Sequence, residues 1–405
     1  MDTRVFGLED IPQAAELIRS GGLVAVPTET VYGLCCSGLD ADAVREVYEL
    51  KGRPEVKPLS LMLHDFDAAK RYCREIPPAA YALAEKFLPG PLTIILPART
   101  ELIPEVVRAG GDTIGIRCPD HSLTLELLRE LDGPMAGPSA NPSGAPSPKS
   151  AKEVLAYFDG KIPGVLEGGE CALGVESTIL DMSSTPYRVL RRGALGEDEI
   201  ASVLRDSMTV IGITGGTGGG KTTALDAIRE LGGCVIDCDA VYHGLLENST
   251  QMLSELGNRF PGVIADGKLD RKALGRIVFA DVTALMELNA ITHKYVREET
   301  ARRLGEWAMQ GGRLAAIDAI ALIESGMGKS CTDVVGVTAP REVRIERLMR
   351  REGISREYAQ SRIDAQKPDS WFEENCDHIL RNDGTVDEFR QKCLTLFTSL
   401  TGGDN

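Results

Sequence analysis

The chain has 405 residues, a length that suits two or three cores rather than one. Hydrophobic residues make up 43% and charged residues 26%, which excludes a disordered or fibrous chain. The formal charge is -15 and both sides of residue 206 are acidic, which argues against stable nucleic-acid binding by phosphate neutralisation.

The opening residues MDTRVFGLEDIPQ lack the basic start and apolar run of a signal peptide. No later stretch approaches the ~20 apolar residues of a membrane span, so a cytoplasmic protein with no membrane partner is expected. Helical patterns at Ile11–Ser20, Ala41–Lys51, Ala79–Phe87 and Leu123–Leu131 are interleaved with the β-rich runs LVAVPT, PLTIILP, TIGIR and STILDM. That mixture predicts a single α/β or α+β domain. Thr30 lies in PTETVYGL, just after the first of these runs. Lys51 and Arg53 close the second helix, and Lys57 follows. Three cations so close repel one another unless an anion joins them, so a phosphate or carboxylate site is one reading and a solvated basic turn the other. Arg117 ends TIGIR, Ser139 and Asn141 sit in a loop rich in Pro and Ser, and Glu176, Ser177 and Arg191 come later. Together these residues suit the polar lining of one cavity. The Pro/Gly/Ser-dense stretch from Gly137 to Ser150 has a linker's composition, yet strand-like runs follow it. The better boundary is at Asp206-Ser207, giving domains 1–206 and 207–405. The ten cysteines form no paired Cys-x2-Cys framework and are expected to be reduced thiols.

The second half opens with the strand TVIGIT (Thr209–Thr214), then Gly215-Gly216-Thr217-Gly218-Gly219-Gly220-Lys221-Thr222, then a helical pattern over Thr222–Leu231. This is G-x-x-x-x-G-K-[ST] in the strand–loop–helix setting that a phosphate cradle needs. The glycines let backbone N–H groups wrap the phosphates and the helix start supplies a positive dipole. Lys221 neutralises the β/γ oxygens, and Thr222 offers a hydroxyl to Mg²⁺. The next strand ends in Asp237-Cys238-Asp239, where a carboxylate can orient or deprotonate an attacking hydroxyl, or simply cap a turn. Two more apolar runs, LAAIDAI and DVVGVTAP, complete the rhythm of a parallel sheet with crossover helices.

The blocks IGITGGTGGGKTT, LGGCVIDCDAVYH, GKLDRKALGRIVFAD, ITHKYVR and IERLMRREGISREYAQSRIDAQ make the second half resemble dephospho-CoA kinase from Val210 to about Leu400. The resemblance implies a P-loop kinase domain with a parallel sheet and helical lid, using ATP and Mg²⁺ and no organic cofactor. It transfers a phosphoryl group to the ribose 3′-hydroxyl of dephospho-CoA. By that pattern Asp239 is the general base, Gly215 to Thr223 (including Thr223 itself) hold ATP with Lys221 catalytic, and Arg347, Arg351 and Arg362 contact ATP from the lid, with Gln366 close behind. The chain departs from the pattern at DAIALIE, where a proline usually stands two residues after the equivalent of Asp318 and an aromatic precedes the equivalent of Glu324. It departs again at His293-Lys294, where His-Pro is usual, at His243, where arginine is common, and at Arg381-Asn382. These departures bear on the acceptor pocket rather than on ATP.

Seven ordered blocks in the first half, PTETVYGL, KGRPEVKPLSLM, FLPGPLTIIL, TIGIRCPDH, GPSANPSGAPSP, GVESTILD and VLRRGAL, look like the YrdC-type threonylcarbamoyl-AMP synthase family over about Ile11 to Leu204. That resemblance implies a twisted α/β fold around a positively charged cavity. The implied reaction joins L-threonine, bicarbonate and ATP into threonylcarbamoyl-AMP and pyrophosphate. The product passes to a tRNA threonylcarbamoyl transferase complex. Lys51 and Arg53 are then catalytic, Arg53, Lys57, Thr113, Ser139, Asn141, Ser147 and Arg191 hold ATP, and Thr30, Arg117 and Ser177 hold threonine. Met62 stands where some members carry histidine. Two alternatives stay open: a non-catalytic RNA- or nucleotide-binding first half, and a kinase for another nucleotide or nucleoside acceptor in the second.

Overall fold

In a computed structural model that describes residues 2–265, 267–319 and 321–402, the chain divides into two units. One comprises Met1–Asp206 with Met309–Gly311, the other Ser207–Ala308 with Gly312–Asn405.

The first unit is built on a mixed ten-stranded sheet. Its strands are β1 (Arg4–Phe6), β2 (Val24–Val26), β3 (Gly33–Ser37), β4 (Ser60–Met62), β5 (Leu92–Pro97), β6 (Thr113–Arg117), β7 (Met135–Ala136), β8 (Gly164–Leu166), β9 (Thr178–Asp181) and β10 (Arg188–Arg191). They lie in the order β1-β8-β2-β3-β7-β4-β6-β5-β9-β10. The neighbours β4 and β6 run parallel, as do β5 and β9, whereas β5 and β6 are antiparallel. One core cluster gathers Phe6, Ile11, Ile18, Val24, Val26, Leu127 and Leu128. The helix Ala41–Lys51 starts where the Asp40 carboxylate accepts from the backbone N–H groups of Asp42 and Ala43. It ends at Gly52, whose φ of 59° is the left-handed conformation glycine adopts without strain. Because its inward face carries Val44, Val47, Tyr48 and Lys51, the lysine is buried, and Arg53 follows the turn partly exposed.

The second unit holds a five-stranded, all-parallel sheet. Its strands are β11 (Thr209–Thr214), β12 (Cys234–Asp237), β15 (Leu314–Asp318), β16 (Asp333–Thr338) and β17 (His378–Arg381), in the order β12-β15-β11-β16-β17. A separate hairpin pairs β13 (Ile264–Ala265) with β14 (Lys268–Leu269). The helix Lys221–Glu230 packs Ala224, Leu225 and Ile228 on the sheet, and the helix Val386–Leu400 adds Phe389, Cys393 and Phe397. A helical region has its own core around Met252, Leu256, Phe260, Leu274 and Ala284. The helices Arg341–Glu352 and Arg356–Asp364 close on Ile345, Leu348, Ala359 and Ile363, the small helical pair expected of a lid.

All ten cysteines are free thiols, six of them buried, and burial raises Cys35, Cys73 and Cys118 to about 12. That keeps them protonated and unreactive at neutral pH. Among the described residues no helix is long and apolar enough to cross a membrane.

Candidate active sites

In the first unit a cavity of about 210 Å³ opens among the edges of several strands. Arg53, Arg117, Ser139, Ser177 and Arg191 line it, with Thr28, Ser60, Met62, Thr93 and Glu176. Arg117, at the end of β6, is buried and donates to the Glu29 carboxylate at 2.9 Å and to the Thr30 hydroxyl at 2.6 Å. Its Nε and the buried Asn141 Oδ1 have no partner among the described residues, so each has hydrogen-bonding capacity to spare. Lys51 donates to the carbonyls of Ser139 and Asn141, which ties the helix end to the Ser-x-Asn loop. Burial pulls the Lys51 ammonium down to about 8; the Arg53 charge adds to that and Glu176 opposes it. On β10 the register slips between Val189 and Arg191, a bulge of the kind that re-aims a side chain. Arg191 donates there to the Ser177 carbonyl and hydroxyl, both at 3.0 Å, and to Glu176. Ser147 donates to the other Glu176 oxygen at 3.1 Å.

Of the other residues the family resemblance assigned here, Thr30, Lys51, Asn141 and Ser147 lie behind the wall, bonded to one another's loops or to lining residues, and Lys57 and Thr113 do not line the cavity either. Lys57 is exposed and its carbonyl is fastened to the Tyr48 hydroxyl at 2.8 Å. Thr113 begins β6, four residues and roughly 13 Å of strand from Arg117. Glu29 and Thr28, which belong to the same Pro27–Leu34 stretch as Thr30 but were given no role, hold Arg117 in place.

In the second unit the loop Gly215–Gly220 joins β11 to the helix Lys221–Glu230. Gly215 has φ 141°, and a Cβ there would come within 2.2 Å of the Val337 carbonyl, so only glycine fits. Lys221 donates to the Gly215 carbonyl at 2.8 Å. Burial lowers its pKa, against the pull of Asp318 at the end of β15. Burial likewise raises Asp318, opposed by Lys221. Thr222 and Thr223 follow on the first turn of the helix. Asp237 caps the next helix, Cys238–Asn248, through the N–H groups of Asp239 and Ala240, and so fixes Asp239 in its first turn.

Of the three expected lid arginines, Arg347 reaches the loop, donating to the Gly218 carbonyl at 3.2 Å and to Asn382 at 3.1 Å. Arg351 and Arg362 both donate to Glu352. Gln366 accepts from the Thr217 N–H at 2.9 Å and donates to the Thr217 hydroxyl at 2.6 Å. Arg344, which sequence reasoning passed over, is buried and donates to the Thr217 carbonyl and to Gln366. Its signal was spacing, since Arg344, Arg347 and Arg351 fall on one helix face at i, i+3 and i+7.

A family model described as "Telomere recombination" matches residues 16–193, and one described as "Dephospho-CoA kinase" matches residues 209–388. The dephospho-CoA kinase of Anaeromyxobacter dehalogenans is 41% identical over 202 residues, which cover 48% of this chain and 94% of that protein. Through its second half, the chain belongs to the dephospho-CoA kinase family.

The first half is similar to the threonylcarbamoyl-AMP synthase of Pyrococcus abyssi, 46% identical over 191 residues, which are 47% of this chain. The chain spans about half the length of the synthases it matches, 56% in that case. Among solved structures, P. abyssi Sua5 complexed with L-threonine is covered over 100% of its chain by 83% of this one, at 28% identity and TM-score 0.49.

In this dephospho-CoA kinase unit, Asp239 lines a second cavity of about 270 Å³ together with His293, Arg297, Ala319 and Ala321. Ile323, Lys294, His243 and Arg381, where the chain departs from the family pattern, are not in its wall, although Ala319, Ala321 and His293 lie beside departure positions. Ile320, which stands where the pattern has proline, lies outside the described residues. His293 is drawn below its usual pKa by burial, with the Arg297 charge adding to that. Of the remaining histidines, His121 and His378 hydrogen-bond the Gly168 carbonyl and Asp333, and His64 pairs with Asp65.

Proposed function

We propose that the chain carries two ATP-consuming activities in the cytoplasm: synthesis of threonylcarbamoyl-AMP and pyrophosphate from L-threonine, bicarbonate and ATP, and 3′-phosphorylation of dephospho-CoA. The observation that supports the first is the convergence of Arg53, Arg117 and Arg191 on one small cavity that also presents the hydroxyls of Thr28, Ser60, Thr93, Ser139 and Ser177. A carbamate must attack the α-phosphorus there, so two anions have to meet, and preorganised cations lower the cost of that meeting. Arg117 grips the threonine carboxylate, assisted by Thr30 and Ser177, while Lys51 and Arg53 face the phosphates with Ser139, Asn141, Ser147 and Arg191. The product is then available to a tRNA threonylcarbamoyl transferase complex.

The kinase reading is supported by the P-loop lysine and the carboxylates Asp239 and Asp318 sharing one end of the parallel sheet. Asp239 takes the proton of the acceptor hydroxyl as it attacks. Lys221 and the loop N–H groups hold the β/γ oxygens, and Arg344 and Arg347 keep the loop in shape. Magnesium takes hard oxygen donors, and the exposed Thr222 hydroxyl with the Asp318 carboxylate fits that preference. When bound with ATP it would neutralise charge on the transferred phosphoryl group.

Turnover of ATP with each acceptor separately tests both readings. Dephospho-CoA should yield ADP and CoA, and threonine with bicarbonate should yield pyrophosphate with no ADP. CoA formation that survives Asp239→Asn would remove Asp239 from the mechanism, and absence of either product would remove the corresponding reading.

A further inference from the structure

A cavity that accepts an amino acid needs a partner for the α-ammonium as well as for the carboxylate. Among the described residues that line the first cavity, Arg53, Arg117 and Arg191 carry positive charge and Glu176 is the one carboxylate. Glu29 lies close by, bound to Arg117, but it is buried and is not part of the cavity wall. Glu176 has room left. It accepts from Arg191 and from Ser147, whereas an ionised carboxylate offers about four lone-pair positions.

The position of Glu176 is more telling than its charge. It precedes Ser177, assigned above to threonine, and its side chain reaches Ser147 and Arg191, assigned above to ATP. The threonine atom that must sit at that junction is the nitrogen, because it becomes linked through the carbamate to the α-phosphorus. We infer that the Glu176 carboxylate binds the α-ammonium of the substrate, making this residue the one that selects amino acids over their 2-hydroxy analogues. The inference rests on the synthase reading of the first unit.

The same charge acts differently once chemistry begins. Ammonium and bicarbonate combine to the carbamate with release of one water and one proton, which replaces a cation beside Glu176 by an anion. Attraction becomes repulsion, and the new carboxylate is pushed toward Arg53 and Lys51, where the phosphates are expected.

Equilibrium binding to the full chain tests this with two ligands, L-threonine and 2,3-dihydroxybutanoate, which has a hydroxyl in place of the ammonium. The wild-type protein should prefer threonine by roughly tenfold or more, as a charge-assisted hydrogen bond warrants. Glu176→Gln should reduce that preference to about twofold or less, and Glu176→Asp should keep most of it. Equal binding of the two ligands by the wild-type protein overturns the inference without any variant. So does an unchanged preference in Glu176→Gln. If Glu176 only held Arg191 in place, Glu176→Gln would weaken ATP and both small ligands alike, and that outcome also overturns it. Should the wild-type protein prefer threonine yet release no pyrophosphate from ATP, threonine and bicarbonate, the ammonium site stands and the synthase reading falls.

Discussion

Lys51 shows how much one side chain owes to its surroundings. Desolvation at the end of its helix brings its pKa to about 8, with Arg53 pushing the same way and Glu176 resisting. The sign follows directly: proton loss on the alkaline side of 8 removes a positive charge from the site proposed to hold phosphates. The value of kcat/KM for ATP in pyrophosphate release should therefore fall about tenfold per pH unit above that point, because this ratio reports the free protein. The break in kcat should come at higher pH, since bound phosphates favour the ammonium. A kcat/KM profile flat through the alkaline range would show that the Lys51 charge is dispensable. Lys51 and Arg53 were legible as a pair because neighbouring cations call for an anion. Arg344 offered only its spacing from Arg347 and Arg351 on a helix crowded with charge, and burial in the fold is what distinguishes it from the other arginines there.

At the level of elements, the first turn of the helix Cys238–Asn248 is held by a single carboxylate, Asp237. Replacing an N-cap aspartate by alanine costs about 1 kcal/mol. Asp237→Ala should lower the melting temperature of the second unit by roughly 2–4 °C and reduce CoA formation at saturating substrate, since Asp239 sits in the frayed turn. Calorimetry and ADP release check the two effects, and an unchanged melting temperature would deny the cap its role. Elements differ in how well their sequences announce them. The parallel strands TVIGIT, LAAID and DVVGVT are buried on both faces and read as continuous apolar runs. Strands as short as Met135–Ala136 or Gly164–Leu166 have no period to detect, and their pairing comes from neighbours far along the chain.

On the scale of the whole molecule, each unit has its own sheet and core, and no P-loop occurs in the first. Lys221→Ala should abolish CoA formation and leave pyrophosphate release within about twofold of wild type, as expected for sites without shared partners. Arg53→Ala should do the reverse, and loss of both activities in either variant would show that the units work as one. Within the second unit, the contact between Gln366 and Thr217 joins residues 149 positions apart. Gln366 holds a backbone N–H of the glycine loop, so a nucleotide that draws on that N–H meets a loop already engaged. Association then has two stages, release of the glutamine and capture of the phosphate, and the observed rate should saturate as ATP concentration rises. In Gln366→Ala it should climb in proportion to ATP over the same range, so stopped-flow traces of the two proteins would separate a waiting lid from an open one.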